Sequence, residues 1–209
     1  MAITTFSQLQ TAIDNWLART DLSGRSPEFI TMAEARMNRE LETRSQEKRA
    51  TSALVVGDPY VTLPTDVRRI RHVRLNTSPR TILDFYSPSA VDTEWSATGT
   101  GKPRMYSVVG EELYLRPAPD STETLEIDYI ASISALTDSN TSNTILSRHP
   151  DVYLHGALAE AFGYLMDAQR QAQHDALFTR AIGEIKMDED RAKYGGSPLQ
   201  LSAQYGELR

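Results

Sequence analysis

At both ends of this chain apolar residues recur every three or four positions, and between about Ala50 and Ala135 that spacing is lost. A helix buries a stripe at that interval, whereas a strand buries alternate residues. A chain that switches from one pattern to the other and back must combine both kinds of element. The expectation is an α+β protein: N- and C-terminal helices meet in a four-helix bundle, with an antiparallel β-sandwich or barrel inserted between them. The segments are residues 1–49, 50–135 and 136–194, followed by an extended arm at 195–209.

The first helix opens at Thr5, with Gln8 three residues on, the form of a capping box. Phe6, Leu9, Ile13 and Trp16 then give one apolar face. Asp21 to Arg25, with Gly24, is a turn. Ser26-Pro27-Glu28 restarts a helix with a polar cap, a proline in the first turn and an acid at the positive end of the dipole. Its stripe is Ile30, Ala33, Met37 and Leu41, so the two helices make an antiparallel hairpin.

Strands and turns fill the middle. Gly57-Asp58-Pro59 separates Ala53–Val56 from Tyr60–Pro64, and Val67 to Leu75 reads as a strand with untidy alternation. Met105–Val109 and Leu113–Leu115 flank a glycine-containing connection, Gly110-Glu111-Glu112, which predicts a hairpin. In Thr124–Ile130 the apolar residues alternate with Glu126 and Asp128, the pattern of a half-buried strand. A short helix is expected from Pro88 to Trp95.

Pro150-Asp151 begins the strongest helix, with Val152, Leu154, Leu158, Ala161, Phe162 and Leu165 as apolar positions. Gly156 and Gly163 share nearly one face of it. Each costs roughly 1 kcal/mol relative to alanine in a helix, and close approach of another helix is the expected offset. A last helix, from about Gln171 to Lys193, ends at Gly195-Gly196. Beyond it Pro198, Leu199, Leu201, Tyr205 and Leu208 stand among only two charges, Glu207 and Arg209. A solvated tail is usually more charged than that. The segment is an arm that docks on a neighbouring subunit, or else a piece folded on its own core or left disordered.

Chemistry is harder to find. Gly99-Thr100-Gly101-Lys102 resembles a phosphate loop, but Ser96 stands where the first glycine belongs and Pro103 follows the lysine. The histidines, His72, His149, His155 and His174, show no metal-ligand spacing. There is no G-x-S-x-G elbow, and zero cysteines exclude a thiol nucleophile, thiolate metal sites and disulfides. No catalytic residue, metal or cofactor is therefore expected. The start of the chain lacks the pattern of a secretory leader. No stretch approaches the ~20 apolar residues of a membrane span, and a net charge of −6 gives no general pull toward nucleic acid. Synthesis in a reducing cytoplasm is the expectation.

One charge feature stands out. Arg68, Arg69, Arg71, Arg74 and Arg80 fall in a span, Val67 to Leu83, that contains no acid. This basic strip suits an acidic protein surface, either on another subunit or on this chain's own strands, for instance at Glu126 and Asp128, or else passing nucleic acid. The aromatic interleaving that binds nucleic-acid bases is missing.

The order of these parts is what carries a resemblance. A helical hairpin precedes Leu63-Pro64-Thr65-Asp66-Val67. There follow Gly101-Lys102-Pro103 with Tyr106, Leu113-Tyr114-Leu115-Arg116-Pro117-Ala118-Pro119, a strand ending Asp128-Tyr129, and the helix from Pro150 to Ala161. The whole resembles the head-to-tail adaptors of tailed bacteriophages, the group that includes podovirus tail-tubular adaptors. The resemblance implies a structural virion protein without enzymatic activity, placed in the neck between portal and tail. It implies a ring of about twelve copies that binds the portal protein, carries the tail or nozzle proteins, and lets DNA pass without sequence-specific binding. It also implies that the C-terminal arm reaches the portal, and that Arg68, Arg69, Arg71 and Arg74 meet a neighbouring copy or the tail. Another neck protein, such as a stopper or tail-tube protein, or an enzyme with a dispersed site, are the alternatives.

Overall fold

Thr5 opens α1 (Phe6–Leu17) with a reciprocal cap: its hydroxyl accepts from Gln8 N–H at 3.3 Å, and Gln8 Oε1 accepts from Thr5 N–H at 3.2 Å. The computed structural model describes residues 2–19, 21–22, 24–94 and 99–194. Phe6, Leu9, Ile13 and Leu17 are the buried face of α1, and Trp16, expected on that face, is 54% exposed. The spacing of four from Ile13 to Leu17 keeps the stripe straight, and the indole falls beside it. On α2 (Ser26–Glu40) the inward residues include Ile30, Ala33 and Met37, with Leu41 buried just after it.

The described residues form two compact units, with junctions after Arg44 and after Ser132. The helical unit joins α1 and α2 to the helices that follow the second junction. Sequence order within the β-unit is β1 (Glu47–Ala53), β2 (Tyr60–Thr62), β3 (Val67–Leu75), β4 (Thr81–Ile82), β5 (Asp84–Phe85), α3 (Pro88–Glu94), β6 (Thr100–Gly101), β7 (Met105–Val109), β8 (Glu112–Arg116), β9 (Ala118–Pro119) and β10 (Thr124–Ala131). Then come α4 (Thr144–Arg148), α5 (Pro150–Tyr164) and α6 (Ala168–Tyr194). Trp95, expected to end α3, lies outside the described residues.

The helical unit is built around α5. Pro150 occupies its first turn, where a missing N–H is harmless. Val152, Tyr153, Leu154, Ala157, Leu158, Ala159, Ala161 and Phe162 are all buried. A helix apolar on every side belongs in the middle of a bundle, and α5 packs against α1, α2, α4 and α6. One core runs through these helices, from Phe6 on α1 to Ile185 on α6.

The β-unit is a sandwich. One sheet has the order β1-β10-β3-β4, the other β2-β8-β7-β5. Val61, Leu113 and Leu115 from the second sheet share a core with Val73, Leu125 and Ile127 from the first. Most pairing is antiparallel, but β5–β7 and the small β6–β9 pair run parallel. The β7–β8 hairpin closes at Val109↔Glu112 around Gly110-Glu111, with Gly110 at φ +63°, a conformation glycine adopts without strain. The sheets do not close into a barrel. Buried Leu83 carries the chain from β4 in one sheet to β5 in the other, so β4 and β5 cover only one end of that open side.

Candidate interaction surfaces

The untidy alternation of β3 has a definite cause. Against β10 its register runs Val73↔Ile127, His72↔Asp128, Ile70↔Tyr129, Arg69↔Ile130 and Val67↔Ala131. Arg71 and Arg68 are thus the extra residues of two β-bulges, and each bulge shifts the inside–outside alternation by one. Leu75, Val73, Ile70 and Val67 all keep the inner register, at spacings of two, three and three, while Arg74, His72 and Arg69 take the outer one.

On the outer register the basic strip meets this chain's own acids. Arg74 faces Glu126 directly: its Nε donates to Glu126 Oε2 at 2.9 Å, and its Nη1 reaches Asp128 Oδ2 at 2.8 Å. Arg49 on β1 closes on the same carboxylate at 2.6 Å. Hydrogen bonds from Arg74 and then Arg49 hold the Glu126 carboxyl down at about 2. Arg71 Nη2 lies 3.1 Å from Glu47 Oε1, both side chains well exposed. Arg80 is exposed ahead of β4.

The bulges bring Arg68 and Arg71 to the lip of a cleft of about 600 Å³. Ile70, Phe85, Tyr106 and Val108 are among its apolar walls, and the Gly110-Glu111 turn borders it. Phe85 is 62% exposed and meets Tyr106 edge-on at 5.5 Å between ring centroids. The cleft is the part of the open side that β4 and β5 leave uncovered. Gly101 and Lys102 lie away from it: β6 pairs with β9, and Lys102 Nζ donates to Thr77 Oγ1 at 3.0 Å.

In the helical unit Gly156 sits where three helices meet. A Cβ there would lie 3.0 Å from the Phe178 ring on α6 and 3.1 Å from the Ala33 methyl on α2. At Gly163 the nearest atom would be the flexible end of Gln171, at 2.9 Å. His155 and His174, nineteen residues apart, bring their Nδ1 atoms to 3.2 Å, with Trp16 edge-on to both rings. Burial lowers both imidazoles below their ordinary range. Nothing in either residue's sequence neighbourhood announces this pair, because α5 and α6 meet only in the fold. Among the described residues no group of three or more His, Asp or Glu is placed to hold a metal ion, and no helix is long and apolar enough to cross a membrane. Pro198, Leu199, Leu201, Tyr205 and Leu208 lie outside the described residues.

The described residues thus comprise a closely packed helical unit and a β-sandwich with an open cleft and a charged outer register. Residues 4–201 match the family described as SU10 adaptor protein, and the chain belongs to that family: it is a bacteriophage head-to-tail adaptor. The family is one of structural proteins of the virion neck, not a class of enzymes, and an adaptor interacts with other head and tail components. No curated protein matches the chain.

Proposed function

We propose that this adaptor assembles into a ring of about twelve copies, binds the portal protein and provides the platform on which tail or nozzle proteins attach. The observation that carries this reading is the family match across residues 4–201. The fold supports it: a ring subunit needs a rigid body, and α5, buried on all sides, supplies one in the helical unit. Portal contact is assigned to the arm, through Pro198, Leu199, Leu201, Tyr205 and Leu208. Contact with an adjacent copy or the tail is assigned to the β3 arginines. Arg68 and Arg71 lead at the cleft, while Arg69 and Arg74 lie on the outer register, where Arg74 also braces Glu126. DNA passes through the ring without sequence-specific binding.

The test is to mix the full chain with its cognate portal and image the product. A ring of fixed symmetry at the portal is expected. Absence of a ring, with both proteins folded, would sink the reading. Salt-sensitive DNA affinity lost on substituting Arg69 and Arg71 would overturn the statement about DNA.

A further inference from the structure

The β-sandwich carries two unlike features at opposite ends of its strands. Strand order puts β1 and β2 at one edge of the two sheets, and β3 with β4 and β7 with β5 at the other. The connection from β1 to β2 belongs to the first edge. It is tied down at its base, where Leu54 N–H donates to Glu123 O at 2.9 Å and Gly57 N–H to Pro119 O at 2.8 Å. Yet Val55 and Val56 at its tip are 63% and 54% exposed. Two adjacent branched apolar side chains held in water by a fixed loop favour burial against something else. Tyr60, half exposed and stacked on Tyr114, continues the apolar patch, and Asp58 adds a carboxylate to it.

The cleft lies at the other end of the strands, and its lining runs from the β2–β3 connection at Leu63, Pro64 and Thr65 to Phe85 on β5. Its walls are apolar, Arg68 and Arg71 stand at its lip, and Glu111 is among its lining residues. It also offers backbone. Because Val109↔Glu112 closes the two-residue turn, Ser107 and Val109 direct their N–H and C=O groups to β8, and Tyr106 and Val108 direct theirs outward. Tyr86 N–H takes the Tyr106 carbonyl at 2.9 Å. Among the described residues no strand lies along Val108 beyond that point.

We infer that adjacent copies join through their β-units, the Val55–Val56 corner of one copy entering the cleft beside Arg68 and Arg71 of the next. The inference rests on the ring reading and names its side contact. The occupant is a second copy because the complementarity is contained in one chain: an apolar tip with Asp58 against an apolar cleft with two arginines. Neither arginine needs to be unpaired for this, since an exchange between exposed charges, such as that of the Arg71–Glu47 pair, is nearly neutral. The tip and the cleft are separate patches of the sandwich. They make a heterologous contact, in which every copy fills one neighbour and is filled by the other, and which closes when the rotation divides evenly. Successive sandwiches are then staggered along their strands.

The chain has zero cysteines, so introduced thiols are unambiguous. The full chain carrying Val55→Cys and Val108→Cys is assembled with the cognate portal and treated with a short bismaleimide. A ladder of cross-linked species running up to the ring number is expected, with neither single variant giving more than dimers. A second variant, Val56→Asp, alters an exposed residue and should keep the melting temperature while lowering ring yield at least tenfold. Rings that form normally without a ladder, or that tolerate Val56→Asp, overturn this contact and leave the ring reading standing. Failure of the unmodified chain to form rings removes both.

Discussion

Tyr153 and Glu34 share a hydrogen bond inside the helical unit, with the hydroxyl donating to Glu34 Oε1 at 3.1 Å. The same oxygen accepts from Leu136 N–H at 2.9 Å, and Asn143 Nδ2 donates to the Tyr153 hydroxyl at 2.6 Å while its Oδ1 caps α4. The network thus ties α2, α5, α4 and the segment before α4 together. Burial pushes the Glu34 carboxyl above its ordinary range, and these two donors only partly offset it. Tyr153→Phe removes one of them and should destabilise the protein by about 1–3 kcal/mol near neutral pH. The sign with pH follows from the raised value. The ionised carboxylate is a penalty above its folded pKa, and that penalty is relieved as pH falls through the folded value toward 4.5. Denaturant midpoints for the variant should therefore approach those of the parent as pH is lowered over that range. A deficit that stays constant with pH would assign the loss to packing instead.

Glu126 has the opposite sign. Its pKa is held at about 2 against an ordinary 4.5 by Arg74 and then Arg49, so its contribution is complete above 4.5 and disappears as pH falls through about 2. In Glu126→Gln the acid limb of stability between those values should flatten, with the parent losing more stability across that window than the variant. Urea midpoints measured at several pH values there decide it, and parallel curves would remove Glu126 from the account.

How much of this was legible beforehand depends on whether a local period existed to be read. The α2 stripe declares itself because helical burial repeats every turn, and α5 because apolar residues dominate it, with Asp151, His155 and Glu160 as its charged or titratable exceptions. β1 does not, since Glu47–Ala53 has no apolar alternation and is defined by its register on β10. β3 lost its period to the bulges at Arg71 and Arg68, although the spacing of Val67, Ile70, Val73 and Leu75 held the clue. The basic strip was visible as a run of charge, but which arginines face Glu126 and which face the cleft depends on those bulges. The His155–His174 contact and the Glu34–Tyr153 bond join residues far apart in the chain, so no window of sequence contains them. Trp16 lies one residue off the buried stripe, because Ile13 is continued equally well by a step of three or of four and Leu17 takes the inner place.

The two glycines of α5 should respond differently to alanine. At Gly156 the new methyl must fit 3.0 Å from the Phe178 ring and 3.1 Å from Ala33, both fully buried or nearly so. Overpacking of about 1–3 kcal/mol opposes a helix-propensity gain of roughly 1 kcal/mol, and a net loss of stability is expected. At Gly163 the nearest group is the end of the Gln171 side chain, which can swing away. Gly163→Ala should be neutral or stabilising by up to about 1 kcal/mol. Denaturant midpoints of the two variants, measured side by side, test the contrast. Equal effects would mean that α5 does not approach α2 and α6 as closely at Gly156 as described.

Deletion of residues 195–209 tests the proposal that this segment is a portal-binding arm. Among the described residues the helical core ends at Ile185, and the exposed last turns of α6 add nothing to it. The shortened chain should therefore melt within about 0.5 kcal/mol of the full one, the range of surface changes. Its assembly on the portal should weaken strongly, because Leu199, Leu201, Tyr205 and Leu208 leave with the segment. Calorimetry and portal co-sedimentation read the two effects independently. A large loss of melting temperature would show that these apolar residues complete the protein's own core, and full portal assembly by the truncated chain would move portal contact elsewhere on the molecule.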